Sequence, residues 1–293
     1  MSVAEAEVTD SPVRVLPTAR PHRRVSTRLV RSELGMVFRR RRNQLAILVL
    51  TGVPVLIGVA LKLSSGGSDG GPPFFDDITN NGVFVAFAAL TVIIPLFLPL
   101  TVAVTAGDAV AGEAQLGTLR YLLTVPVGRT RLLLVKYAGV VAFCFAATLV
   151  VATTGAVLGL ILFPSGSATL LSGSQVSTVD TLGRLFMVAC YVGVMMAGLG
   201  AIGLFVSTLT EVPVAAMTAT ATLAVVSEVL DALPQVGSIH PYLFSHYWLS
   251  FGDLMRSPID WGSINHGLLV TAVYIAVFGS LAWARFSGRD VSS

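Results

Sequence analysis

The sequence predicts an all-α integral membrane protein. It has six transmembrane helices, an N-terminal interfacial amphipathic helix, a short cytoplasmic helix between spans two and three, and a re-entrant or interfacial outer segment before span six. Three observations carry this prediction. Of the 293 residues, 54% are hydrophobic and 12% charged, whereas a soluble domain carries about a quarter charged residues. Six runs are apolar over the roughly 20 residues that a helix needs to cross the hydrocarbon core. The cations are also unevenly spread: all 19 Lys and Arg except Lys62, Arg184 and Arg256 fall in or beside the termini and the stretch between spans two and three.

Residues 1–26 contain Pro, Arg and Ser without periodicity and predict a disordered cytoplasmic tail. More than forty residues, many of them charged, precede the first apolar run, which is not the form of a secretory signal. In 27–42, Leu29, Val30, Leu34, Val37 and Phe38 recur at helical spacing among Arg28, Arg31 and Arg39 to Arg42. That pattern predicts a helix lying in the interface with its arginines toward anionic headgroups. A solvated basic tail is the plainer alternative, and an apolar stripe running straight into a span argues against it.

The predicted membrane domain covers 43–286, with spans near 44–63, 81–106, 132–163, 182–209, 212–233 and 266–286, and a short tail at 287–293. The third and fourth spans exceed the bilayer and should tilt or project. Pro54, Pro95 and Pro99 lie inside spans, where each removes a helical hydrogen bond and predicts a kink. Positive charge gathers on one side of this topology, which places both termini in the cytoplasm. Cys144 and Cys190 sit in separate apolar runs and are expected to be reduced.

The outer segment 234–265 holds Tyr242, Phe244, Tyr247, Trp248 and Phe251, too apolar for an exposed loop and suited to the membrane interface. Tyr247 and Trp248 are candidates for an outer gate. Glu228 and Asp231, three apart near the outer end of span five, share a helix face. Carboxylates in spans are functional candidates, facing a wet pathway or a partner; alternatively, both simply mark the water boundary. His240, His246 and His266 lack a Cys or carboxylate at a recognised metal spacing, so interfacial polar roles are the better expectation.

Three motifs of soluble enzymes occur by letter and fail by context. Gly198, Gly200 and Gly203 spell GxGxxG inside the fourth span, where glycine allows close helix packing and no βαβ unit exists. Gly66 to Gly70 fits GxSxG in a Gly/Ser-rich loop without a preceding strand. Leu171 to Gln175 reads LSGSQ, but neither lysine, Lys62 or Lys136, follows a glycine, so no P-loop exists. No nucleophile–base pair or HExxH supports an intramembrane enzyme, and nothing points to nucleic acid.

The stretch 107–136, GDAVAGEAQLGTLRYLLTVPVGRTRLLLVK, is the long charged segment between two very apolar runs. Asp108 is placed to cap a short helix through about Gln115. Gly117 permits a break, and Leu119, Leu122 and Leu123 form a small apolar face beside Arg120. Pro126 and Gly128 punctuate before Arg129 and Arg131 at the re-entry boundary. This run resembles the pattern D-x-(I/V)-A-x-E-x-x-x-G-T-L-x-x-L-L-x-x-P-(V/I)-x-R of the permeases of the second family of ATP-binding-cassette exporters. The matching residues are Asp108, Val110, Ala111, Glu113, Gly117, Thr118, Leu119, Leu122, Leu123, Pro126, Val127 and Arg129. One spacing is approximate, and the wider resemblance covers about 27–286.

The resemblance implies a multi-pass permease of a bacterial plasma membrane that has no catalytic site of its own. Two such subunits, as a homodimer or related heterodimer, would form the pathway within membrane lipid. Two separate P-loop ATPase subunits would carry the ATP and Mg, and no cofactor would bind this chain directly. The 108–125 segment would be the coupling helix seated on the ATPase. In it, Glu113 and Arg120 would give charged contacts, Leu122 and Leu123 the anchor, and Gly117 the bend. Long apolar walls favour a hydrophobic or amphipathic cargo, drug-like or lipid-like. The alternative is an ion- or proton-coupled secondary transporter using Glu228 and Asp231, which would favour midplane carboxylates and repeated halves.

Overall fold

The computed structural model describes residues 27–64, 81–117, 128–163, 168–169 and 173–288. The expected N-terminal tail, the GxSxG stretch, Leu171 and Ser172 of LSGSQ, and Thr118, Arg120, Leu122, Leu123 and Pro126 lie outside the described residues. Among the described residues, eight α-helices follow in order: α1 Thr27–Arg39, α2 Arg41–Ser64, α3 Phe84–Ile93, α4 Phe97–Gln115, α5 Arg129–Leu162, α6 Thr178–Leu209, α7 Pro213–Asp231 and α8 Trp261–Ser287. A two-residue antiparallel ladder, Ala168–Thr169 with Gln175–Val176, lies between α5 and α6. The architecture is an all-α membrane bundle. Five helices are long and apolar enough to cross a bilayer, and the bent pair α3–α4 makes a sixth span if counted as one.

Local chemistry explains the helix limits. α1 ends where Arg40 turns the chain, and the Asn43 amide donates to the Val37 carbonyl (2.9 Å) across that turn. α3 and α4 meet at 59°. The expected second span is therefore two helices. Pro95 lies in the break, while Pro99 lies in the first turn of α4, where its missing N–H costs nothing. α2 continues through Pro54. α6 is capped by Ser177, whose Oγ accepts from the Asp180 N–H and donates to the Asp180 carboxylate. At 34 residues, α5 is about 51 Å long, well beyond a bilayer core.

The outer segment resolves into 3₁₀ turns at Pro234–Val236, His240–Tyr242 and Ser250–Met255. α8 then begins at Trp261, five residues before the expected span, because Asp260 accepts from the Gly262 N–H and caps it there.

α6 is the core of the bundle, packed on α4, α5, α7 and α8. Its three GxGxxG glycines face three different helices. A Cβ at Gly198 would stand 2.9 Å from the Thr271 methyl of α8, one at Gly200 2.7 Å from Val140 of α5, and one at Gly203 2.7 Å from Ala106 of α4. Small residues let helix backbones approach where lipid gives no hydrophobic drive. α2 and α8 instead expose apolar side chains outward, among them Leu48, Leu56 and Leu63, and Leu269 and Val273. These are the lipid-facing surfaces.

Gly203→Val should lower the thermal midpoint of the detergent-purified protein by an amount equivalent to about 1–3 kcal/mol of overpacking. Gly52→Val, at a position with no atom within 4 Å of the added carbon, should leave it nearly unchanged. Equal midpoints for the two variants would contradict this account of α6.

Candidate functional site

Both ends of the 118–127 stretch are rooted at the arginine-rich end of the bundle, where the starts of α2, α5 and α7 meet the ends of α4, α6 and α8. α4 runs without interruption to Gln115, so Asp108 is not the cap of a separate short helix. It is an interior residue of a long one. The apolar character of 97–111 does not end at 106, and nothing between Gly107 and Gln115 breaks the helix. The break comes at Gly117, whose φ of +68° lies in the left-handed region that ends helices.

Asp108 and Glu113 are both buried. Five residues apart, they point about 140° from each other around α4, and each meets its own cations. Arg40 Nη1 and Arg42 Nη2 both ion-pair with Asp108 Oδ2. Lys136 of α5, only 1% exposed, places Nζ 2.5 Å from Glu113 Oε1 and 3.4 Å from Glu33 Oε1 of α1. Three carboxylates thus balance three cations in one cluster spanning α1, α2, α4 and α5. Neutrality is required here, because an isolated charge out of water costs several kcal/mol or more. The expectation that Glu113 offers an exposed charge to a partner is corrected: its carboxylate faces inward onto Lys136.

α1 reaches this cluster by lying across α5 at Gly139. A Cβ there would stand 3.2 Å from Val37 and 3.3 Å from Glu33, and the Phe38 and Phe143 rings pack beside it, 6.4 Å apart. On the other side, α6 grips α4 through Ser207. Its Oγ donates to the Gly107 carbonyl (2.7 Å) and accepts from the Val110 and Ala111 N–H groups (3.0 and 2.9 Å). Ser207 thereby bonds directly to the backbone of α4 at the Gly-Asp-Ala-Val-Ala segment. Gly107 also crosses α7, with room for no side chain beside the Met217 backbone.

The second root is Arg129. Its Nη1 donates to the Ser287 carbonyl (2.6 Å) at the end of α8, where a cation suits the exposed carbonyls. Beside it, Trp283 Nε1 donates to Thr130 Oγ1 (2.9 Å).

The other candidates lie at the opposite end. Asp231 Oδ1 pairs with His246 Nδ1 (2.6 Å), and the Ser227 and Ser245 hydroxyls meet at 2.6 Å. α7 is thereby clasped to the outer segment. Glu228 makes no ion pair among the described residues. The Tyr247 carbonyl accepts from the Tyr191 hydroxyl (2.7 Å). Trp248 is fully enclosed, with Phe244 against it at 5.7 Å. Both residues pin the segment onto the bundle, and an opening here would have to unseat Trp248. His240 Nε2 lies 3.1 Å from the Leu233 carbonyl, and no three His, Cys, Asp or Glu side chains converge among the described residues.

Sequence reasoning missed Lys136, Glu33 and Ser207. A lone lysine four residues into an apolar run was the available signal, since such a cation demands a buried carboxylate.

The chain matches the family model described as "Protein of unknown function (DUF2705)" over residues 53–292. That match contains Asp108, Glu113 and Lys136 and begins inside α2, beyond Glu33, Arg40 and Arg42. Over 87 residues the chain is 39% identical to the "Probable ABC transporter permease protein NosY" of Pseudomonas aeruginosa, a stretch covering 30% of this chain and 32% of that protein. The chain thus spans about a third of the length of that relative.

Lys136→Met should strand Glu33 and Glu113 and cost about 3–5 kcal/mol, the usual loss on breaking a buried pair from one side. The triple variant Glu33→Gln/Glu113→Gln/Lys136→Met should recover most of that loss. Thermal unfolding of both in one detergent checks this; a triple variant no more stable than the single would count against the cluster.

Proposed function

The chain belongs to the DUF2705 family, and on that premise we propose that it is the transmembrane permease subunit of an ATP-driven ABC exporter. The observation that carries the reading is the neutral cluster of ion pairs among Glu33, Arg40, Arg42, Asp108, Glu113 and Lys136 at the root of the 118–127 stretch. It is supported by the resemblance of 108–129 to the exporter-permease pattern and by the partial likeness to a probable ABC transporter permease.

In this reading the arginine-rich end faces the bacterial cytoplasm, and both termini lie there. Two P-loop ATPase subunits bind at that face and carry ATP and Mg. A second permease subunit, identical or related, completes the pathway. Thr118, Arg120, Leu122, Leu123 and Pro126 form the surface that the ATPase grips, with Leu122 and Leu123 as its apolar anchor. Gly117 and Arg129 hold the two ends of that surface. Asp108 and Glu113 act behind it. They lock α4 to α1 and α5, so a push on the 118–127 stretch moves the three helices together.

α4 is the lever. From the bend after Ile93 to Gln115 it is one helix of 19 residues, about 28 Å, and the 59° break at its far end is where such a lever turns. Turning of α4 at its 59° break switches access, and the clasp of Asp231 and His246 sits at the exit side. The cargo class is hydrophobic or amphipathic, in keeping with apolar walls.

Affinity-tagged protein recovered in mild detergent from its native host should bring with it a P-loop ATPase with measurable ATP hydrolysis. Leu122→Ser/Leu123→Ser should lose the ATPase while eluting at the same size as the parent permease. An ATPase-free oligomer from the parent protein would overturn the reading.

A further inference from the structure

The arginines around the turn from α1 to α2 divide into two groups. Arg40 and Arg42 turn inward and pair with Asp108. Arg31 and Arg39 of α1 and Arg41 of α2 stand exposed. None of these three has an ion-pair partner among the described residues. Arg31, Gly35 and Arg39 follow at four-residue steps and form one stripe along α1. A Cβ at Gly35 would meet nothing within 4 Å, so the stripe is open. Glu33, the one acid of α1, faces the other way and is buried against Lys136. The outward face is therefore cationic with no counter-charge of its own. Met36, 41% exposed, lies beside the stripe.

Two helices act as rulers for the depth of this face. On α2 the lipid-facing side chains run from Leu45, 61% exposed, to Leu63, 78% exposed. The stretch between them spans about 27 Å, close to the roughly 30 Å hydrocarbon core. Arg41 lies about 6 Å before Leu45. On α5 the far end of the lipid-facing side is marked by exposed Ile161. α1 crosses α5 at Gly139, about 33 Å back along the helix. Both rulers put α1 just outside the hydrocarbon, in the polar layer that brings a bilayer to about 40–45 Å.

We propose that the outward face of α1, with Arg31, Arg39 and Arg41, binds the phosphates of anionic phospholipids in the leaflet at the arginine-rich end. The sequence pattern turns all of Arg39 to Arg42 toward headgroups; the structure reserves Arg40 and Arg42 for Asp108. Lipid suits this face better than an acidic protein does. The face lies at headgroup level, its charges are all of one sign, and Met36 adds an apolar contact beside them. The inference follows from the membrane fold and stands whether or not an ATPase binds this chain.

Met36→Trp places a reporter on the face. The full-length protein carrying it is reconstituted in phosphatidylcholine vesicles with increasing fractions of phosphatidylglycerol spin-labelled near the headgroup. Spin-labelled phosphatidylcholine is run in parallel, and the reporter's fluorescence is read as the difference from the parent protein. The phosphatidylglycerol should half-quench it at a mole fraction about fivefold lower, the preference that even one arginine at an anionic surface supplies. Arg31→Gln/Arg39→Gln/Arg41→Gln should merge the two curves and leave the thermal midpoint unchanged, because the pairs on Asp108 and Lys136 remain. Arg31→Lys/Arg39→Lys/Arg41→Lys should keep the curves apart. Raising the salt to about 0.5 M should narrow the gap, since exposed charges are screened. Overlapping curves before any arginine is changed would overturn the proposal. So would a preference that survives the triple Gln change. Quenching by neither lipid would overturn it too, leaving the face to a soluble acidic partner or to residues 1–26.

Discussion

The structure depends on keeping Lys136 charged inside a membrane bundle. Its ammonium has 1% exposure, and the effective cost of taking such an ion out of water is several kcal/mol. Glu33 and Glu113 offset that cost from two different helices. Each of those carboxylates needs the lysine as much as the lysine needs them. Asp108 extends the same logic to Arg40 and Arg42 at the turn between α1 and α2. Hydrophobic contact alone would let α1 slide over α5, since one apolar face packs on another at many offsets. A fixed set of charges allows one offset.

The cluster joins the amphipathic helix, the bent second span and the long third helix at one level of the bundle. Ser207 adds α6 through the α4 backbone, and Gly107 adds α7. On one side of 118–127 the described chain ends at Gly117, and on the other Arg129 is tied to the end of α8. The far end of α4 meets α3 at a 59° bend around Pro95. The outer end is closed by a different chemistry: a histidine–aspartate clasp, a pair of serine hydroxyls and a buried tryptophan.

Much of the fold was legible because hydropathy records which stretches leave water. The positions of the apolar runs, a helix within 27–42 and the rejection of GxGxxG as a nucleotide site all follow from that record. What each of the three glycines touches did not follow, because that depends on which helices become neighbours. The same gap explains the misreading of Asp108 and Glu113. A carboxylate at the end of an apolar run looks exposed in one dimension. Glu33 is 103 residues from Lys136, and no local pattern records that separation. Pro95 marked a kink, yet a sequence cannot say whether a proline bends a helix or divides it. Which arginines turn inward and which stay outward depends on Asp108 of α4, and no pattern within 27–42 records it.

The Ser207 hydroxyl has a consequence for biosynthesis. It lies 100 residues downstream of the Gly107 carbonyl it engages, so α4 leaves the ribosome before its partner exists. At about 5–20 residues per second, roughly 5 to 20 seconds separate the two. During that interval the Gly107 carbonyl has only its own helix to bond with, and nascent α4 closes the Ala111 to Gly107 link itself. When α6 arrives, Ser207 adds its own bonds to the Gly107 carbonyl and to the Val110 and Ala111 N–H groups. α4 enters the bilayer before its partner exists and is fastened to the bundle only once a later segment has been translated.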